Sequence, residues 1–299
     1  MSKSILIAGG TGFIGFHLAK RCLNLNWSVT SLSTSNPKKK RKLKGVSYKI
    51  CDVSSYNQII KKIKPNYDYV VNLAGYVDHT HKLKTMKSHY VGCKNLLKFF
   101  LNSKIKKFVQ IGSCIEYGKI KSPQKEVNLN KKTFSVYGKA KLLSTKFSED
   151  FHKKFDFPVT ILRLYLVYGP YQDANRVIPL TITNALKNKN FKCSSGLQLR
   201  DFTYIDDVIN AIIKTLNNSK SSGEIINIGS GKPISIKKVI IKICEMINSG
   251  NPIFGKISLR KDEIMKLYPN LKKAKKMLAW ESKIPLEIGL KKTIKFFSK

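Results

Sequence analysis

Gly9-Gly10-Thr11-Gly12-Phe13-Ile14-Gly15 follows the apolar run Ser4-Ile5-Leu6-Ile7-Ala8 and opens a stretch, 13–25, whose apolar residues recur at helical spacing. Strand, glycine turn and helix in that order form a cradle for phosphate. The turn requires dihedrals that only glycine adopts cheaply, a pyrophosphate must approach the backbone with no Cβ in the way, and the helix must pack close to the strand. The helix N-terminus then offers free N–H groups and the positive end of its dipole. Glycines at 9, 12 and 15 in this context predict a dinucleotide site.

Outward from this motif, short β-branched runs alternate with amphipathic stretches. Strands are expected at 4–8, 28–33, 46–50, 68–73, 106–112 and 158–164, and helices at 13–25, 54–63, 83–102 and 136–155. The alternation predicts an α/β fold, a Rossmann-type doubly wound parallel sheet with helices on both faces. After Tyr168-Gly169-Pro170 the pattern changes to helices near 177–188, 205–217, 235–247, 271–279 and 286–297, with strands near 201–204 and 225–228. The expected division is a dinucleotide-binding domain over 1–165, onto which 200–228 packs back, and a smaller mixed α/β substrate domain over 166–299.

The chain has 299 residues and a formal charge of +38, from 56 Lys and Arg against 18 Asp and Glu. Such a charge raises the question of nucleic acid, and its distribution answers it. Successive quarters hold 13, 16, 10 and 17 basic residues, so no basic domain exists. Only six of the 56 are Arg, and Lys, Ile and Asn are the products of A/T-rich codons. The bulk charge therefore reads as compositional background, and no specific nucleic-acid partner is expected. Each Arg is informative against that background, because only Arg offers a planar fork to phosphate. The six cysteines are dispersed without CxxC or a Cys/His cluster, so no metal site is expected and a reduced, cytoplasmic protein is. Asp206-Asp207, at a helix start, fit N-terminal capping better than a metal. No secretory leader precedes Ser4 and no apolar stretch approaches a membrane span, so a soluble chain is expected.

A Tyr and a Lys at i and i+4 share one helix face, where the ammonium would lower the phenol pKa and ready it for proton exchange. With 13 Tyr and 50 Lys the spacing arises by chance, and it occurs four times: Tyr90/Lys94, Tyr117/Lys121, Tyr137/Lys141 and Tyr268/Lys272. Pro269 follows Tyr268, and Lys121 runs into Ser122-Pro123, so neither pair lies on a settled helix. No Ser or Thr accompanies Tyr90/Lys94 at a strand end. Tyr137/Lys141 opens a long helix, and 24 residues before Tyr137 a strand ends in Ile111-Gly112-Ser113-Cys114-Ile115-Glu116-Tyr117-Gly118. Tyr137 and Lys141 are therefore the pair that context favours, and Ser113 at the preceding strand end completes a candidate catalytic set by its resemblance to a known family. Cys114 has no His placed to activate it and reads as a packing residue.

The glycine spacing GxxGxxG, the Ser113 segment and the Tyr137/Lys141 pair together resemble the extended short-chain dehydrogenase/reductase family, whose members modify nucleotide sugars. The resemblance runs from Gly9 to Leu278-Ala279-Trp280. It implies that Gly9, Thr11, Gly12, Phe13, Ile14 and Gly15 hold the cofactor together with Ser33, Thr34, Asp52, Val53, Leu73, Ala74, Gly75, Tyr137 and Lys141. It also implies that Ser113 binds the reacting carbonyl, that Arg176 and Val177 pack against the nucleoside, and that Arg200 and Arg260 clamp the diphosphate of a nucleotide-sugar substrate. Two positions depart from the family pattern. Asn72 stands where a His is usual, and Leu166 where an Asn is usual before Val-Tyr-Gly-Pro. A homodimer through 83–102 and 136–155 is the family expectation.

The second strand ends in Ser33 and not in the carboxylate typical of NAD sites, and Lys38-Lys39-Lys40-Arg41 follow. A hydroxyl with cations nearby suits a 2′-phosphate, so NADP(H) is the expected cofactor, with NAD(H) the alternative. Family dehydratases carry Asp-Glu directly after the Ser/Thr, where this chain has Cys114 and Ile115. The expected activity is reduction of the C4 ketone of an NDP-4-keto-6-deoxysugar. The alternatives are an NAD-dependent 4-epimerase and a non-catalytic protein that binds RNA.

Overall fold

The computed structural model describes residues 2–76, 81–127, 135–259 and 263–299. The first half runs β1 (Ser4–Ala8), α1 (Phe13–Asn24), β2 (Ser28–Ser33), β3 (Val46–Ile50), α2 (Tyr56–Lys62), β4 (Tyr69–Asn72), α3 (Lys82–Met86), α4 (Gly92–Phe100), β5 (Lys107–Ser113), α5 (Val136–Phe155) and β6 (Val159–Leu164). The second half runs β7 (Leu166–Tyr168), α6 (Val177–Leu186), β8 (Asn190–Lys192), β9 (Leu199–Arg200), β10 (Phe202–Tyr204), α7 (Ile205–Leu216), β11 (Ile225–Ile228), β12 (Ile234–Ser235), α8 (Ile236–Ile247), β13 (Asn251–Ile253), β14 (Lys266–Leu267), α9 (Lys272–Leu278) and α10 (Leu286–Phe297).

Seven parallel strands form the main sheet in the order β11-β6-β5-β4-β1-β2-β3. The expected doubly wound Rossmann-type sheet is present. Its strands are apolar throughout because both faces are covered. In β1, Ile5 and Ile7 enter one core and Leu6 and Ala8 the other. Truncating one of these, as in Leu6→Ala, would cost roughly 2–5 kcal/mol. The chain winds outward from β1 through β2 and β3, then returns to place β4 on the other side of β1. That reversal opens a crevice at the carboxyl ends of β1 and β4, where such sheets bind ligands. The remaining strands build three small sheets, of which β7–β10 contributes to the crevice wall.

Two elements differ from the sequence reading. The single helix expected over 83–102 is α3, a π-turn at Lys87–Val91, and α4. The turn sits between two close contacts: the Ser144 hydroxyl donates to the His89 carbonyl at 3.0 Å, and a Cβ on Gly92 would fall 2.7 Å from Val53. The strand expected at 201–204 starts one residue later, as β10, after Asp201, whose buried carboxylate accepts the backbone N–H groups of Ser230 and Gly231 at 2.6 and 2.7 Å. Asp207 likewise does not cap α7. Its carboxylate accepts from Ser282 and from the backbone N–H groups of Lys283 and Ile284, pinning the segment that leads into α10. Among the described residues no helix is long and apolar enough to cross a membrane.

Candidate active site

The glycine turn is packed as tightly as its sequence implies. Gly9 has φ +81°, and a Cβ there would meet the Leu73 carbonyl oxygen at 2.7 Å, while one on Gly15 would meet the Gly9 oxygen at 2.3 Å. Any side chain at either position would fill the space between turn, helix and β4. Leu73, Ala74 and Gly75 are held beside it by Asn72, whose side chain accepts from the Ala74 N–H at 3.1 Å and donates to Gln110 at 2.8 Å. Asn72 thus serves the local turn at the position where relatives have His.

A cleft of about 850 Å³ runs from this turn across the ends of β4, β5 and β6. Its walls bring together Gly9, Thr11, Gly12, Phe13, Ile14, Gly15, Ser33, Thr34, Asp52, Val53, Leu73, Ala74 and Gly75 with Ser113, Tyr137, Lys141, Arg176 and Val177. One candidate among the described residues is not on that wall. Arg200 lies in β9 with its guanidinium paired to Glu263 and to the Leu199 carbonyl. Arg260 is outside the described residues. The close approach of the backbone at Gly9 and Gly15, with no Cβ, fits a group with a pyrophosphate.

Ser113 ends β5, and its hydroxyl lies near enough to the Tyr137 phenol to favour the phenolate. Tyr137 is half-buried near the start of α5, and Ser135 caps that helix by accepting from the Gly138 N–H at 3.0 Å. Lys141, one turn on, is buried and donates to the Ile111 carbonyl at 2.7 Å. Burial pushes the Tyr137 phenol up to about 12 and the Lys141 ammonium down to about 8. The lowered phenol pKa expected from the i,i+4 spacing is therefore not what this arrangement shows. Lys141 is turned toward a backbone oxygen, 6.0 Å from the centroid of the Tyr137 ring, and loss of hydration outweighs its charge. The Cys114 thiol is buried and pushed up to about 12, which fits a packing role.

Behind Ser113 lies a network that the sequence reading passed over. Glu116 is fully buried. One carboxylate oxygen accepts the Ser113 N–H at 2.6 Å, and the other accepts from Thr145 and from Arg163 Nε, both at 2.8 Å. Ser113 and Glu116 form a capping box on the short turn 114–117. Ser-x-x-Glu is the signature of that box, so the signal was present. Arg163, also fully buried, belongs to this network and not to the cleft wall. The His89 ring stands edge-on to Tyr137 at a centroid distance of 5.1 Å and lines the cleft. Only the π-turn brings it there, and nothing in the sequence marks it.

At the other end of the cleft, the Ser33 hydroxyl donates to the Leu32 carbonyl at 2.7 Å and accepts the Thr11 N–H at 3.3 Å. Of the cations expected to meet a 2′-phosphate, Lys38 and Arg41 line the cleft, whereas Lys39 and Lys40 do not. Arg41 pairs with Asp173 at 2.8 Å and also donates to the Tyr171 carbonyl.

A glycine cradle at a strand crevice, joined to a Ser/Tyr/Lys corner, is the layout of a Rossmann-type dinucleotide site. The chain belongs to the NAD dependent epimerase/dehydratase family, whose model matches residues 5–229. The structure of a UDP-glucose 4-epimerase from Thermotoga maritima superposes with a TM-score of 0.91, at 25% identity over 98% of both chains. That of a UDP-glucuronic acid 4-epimerase from Bacillus cereus, in complex with UDP-glucuronic acid and NAD, gives 0.86 at 25% identity over 98% of both. A CDP-abequose synthase of Salmonella muenchen is 27% identical over 98% of both sequences.

Proposed function

We propose that this chain reduces the C4 ketone of an NDP-4-keto-6-deoxyhexose. The observation that carries this reading is the wall beside Ser113. Cys114 and Leu164, Tyr165, Leu166 and Val167 line it, and among the described residues the carboxylates on the cleft wall are Asp52 and Asp173, both at the Ser33 end. Such a wall suits a C6 methyl, and its described residues place no carboxylate beside Ser113 to serve as the acid or base of 4,6-dehydration. Leu166, where relatives place an amide, contributes to it.

The bound nicotinamide would supply hydride. Ser113 holds the carbonyl oxygen, and its alignment is fixed by the capping box. The Tyr137 hydroxyl delivers the proton to that oxygen as charge develops there, and Lys141 provides positive charge in a dry setting where it counts for more. Arg176 lies near enough to the phenol to favour its ionised form. At the Ser33 end Lys38 faces the cleft, whereas Arg41 is held by Asp173.

The second reading is a 4-epimerase that keeps its cofactor. The Arg41–Asp173 pair supports it, because it links the loop after β2 to the loop after β7 beside the glycine turn. Incubation with NADH or NADPH and a panel of NDP-4-keto-6-deoxysugars separates the two. Stoichiometric loss of cofactor absorbance is expected. Interconversion of UDP-hexoses with no added cofactor would favour the epimerase.

A further inference from the structure

We propose that Asp173 performs, from a distant loop, the task of the carboxylate that the second strand lacks: by holding Arg41 it sets the cleft for NAD(H) and against NADP(H). Arg41 and Asp173 are 132 residues apart in sequence, and both line the cleft alongside Ser33 and Lys38. The pair sits at the ribose end of the glycine turn, because Arg41 Nη1 also points at the Thr11 carbonyl, 3.5 Å away, and Thr11 donates its N–H to Ser33. Arg41 is the one arginine on this part of the wall among the described residues, and its side chain is 10% exposed.

Three features make the pairing a fixed part of the wall. The Tyr171 carbonyl takes a second guanidinium hydrogen bond. The loop itself is pinned, since Pro170 O meets His17 Nε2 at 2.9 Å and the Tyr171 ring packs between Phe16 and Phe296 at 4.5 and 4.4 Å. Tyr171 holds φ +66°, a conformation that such packing must enforce in a non-glycine residue.

A 2′-phosphate arriving here would meet a carboxylate that already neutralises the cation it needs. It would have to displace Asp173 from Arg41 or lie against a like charge. A bare ribose meets no such conflict, and Asp173, at 39% side-chain exposure, keeps acceptor capacity for hydroxyls. Ser33 cannot compensate, because its hydroxyl is bonded to Leu32 and Thr11. Among the described residues Lys38 is the remaining cation at this end of the wall, and a flexible ammonium near water is a weak discriminator.

The proposal rests on the reading that this cleft binds a nicotinamide dinucleotide. The test is equilibrium titration of NADH and NADPH, followed by cofactor fluorescence, with wild type, Asp173→Asn, Asp173→Glu and the double variant Asp173→Asn/Arg41→Met. Wild type should bind NADH about tenfold or more tightly than NADPH. Asp173→Asn should improve NADPH binding by about tenfold while changing NADH by less than about threefold. Asp173→Glu should keep the wild-type ratio, and the double variant should lose the gain. Wild-type preference for NADPH, or a ratio unmoved by Asp173→Asn, overturns the assignment of Asp173. Failure of wild type to bind either dinucleotide overturns the dinucleotide reading as well.

Discussion

At the Ser113 end of the cleft, charge is dry: Glu116 on its short turn and Arg163 on β6 are fully buried, and Lys141 on α5 is nearly so. At the Ser33 end, Lys38, Arg41 and Asp173 come from loops and water reaches them in part. The same kinds of side chain do different work in the two places. A buried pair such as Glu116–Arg163 cannot lose one partner cheaply, a buried lone cation such as Lys141 costs stability, and partly hydrated ions select among ligands with little bearing on the fold.

The contrast predicts a ranking of effects. Tyr137→Phe should keep cofactor binding yet lose turnover by about 10²-fold or more, in a stopped-flow assay of cofactor oxidation. A near-normal rate would remove Tyr137 from the chemistry. Glu116→Gln keeps the shape but removes the charge facing Arg163 and weakens the acceptor for the Ser113 N–H. It should slow turnover by roughly tenfold or more and destabilise the fold by about 3–5 kcal/mol in a denaturant titration. If Glu116 were spectator packing, the rate would hold while stability fell.

Lys141→Met should uncouple stability from activity. The Lys141 pKa falls to about 8 in the fold, so the unfolded chain binds that proton more tightly. The resulting penalty is full below about pH 8 and fades as pH rises toward the ordinary lysine value of about 10.4. The variant should therefore be more stable than wild type by about 1–3 kcal/mol at neutral pH, with little advantage above pH 10.5, while turnover collapses. Equal stabilities at pH 7 would show that the ammonium is better solvated than its burial implies. The smallest effect belongs to the Lys39→Ala/Lys40→Ala double variant. Neither lysine lines the cleft, so cofactor affinity at moderate salt should change by less than about twofold.

How much of this was legible in the sequence depended on how local each code is. The glycine turn was read correctly because its requirement, no Cβ at Gly9 or Gly15, acts within a few residues. The seven-stranded sheet followed from alternating periodicity for the same reason. Tyr137/Lys141 could be chosen among four pairs only through the strand end at Ser113, although their proton affinities depend on burial that spacing does not encode. Glu116 was written in the sequence as Ser-x-x-Glu, yet its meaning needs Arg163 and Thr145 from other elements. The Arg41–Asp173 and Arg200–Glu263 pairs could not be read at all. Their partners are 132 and 63 residues apart and meet only when the substrate-side loops fold back.

The central claim is that Ser113, Tyr137 and Lys141 serve hydride delivery to C4 of a nucleotide sugar. Single turnover with cofactor deuterated at the transferred position of the nicotinamide, and an NDP-4-keto-6-deoxyhexose as acceptor, tests it most directly. Mass and NMR analysis of the sugar should find one deuterium at C4 for each cofactor oxidised, and almost none with Tyr137→Phe in the same time. Cofactor left unoxidised by every such sugar, or deuterium at another carbon, would contradict the account.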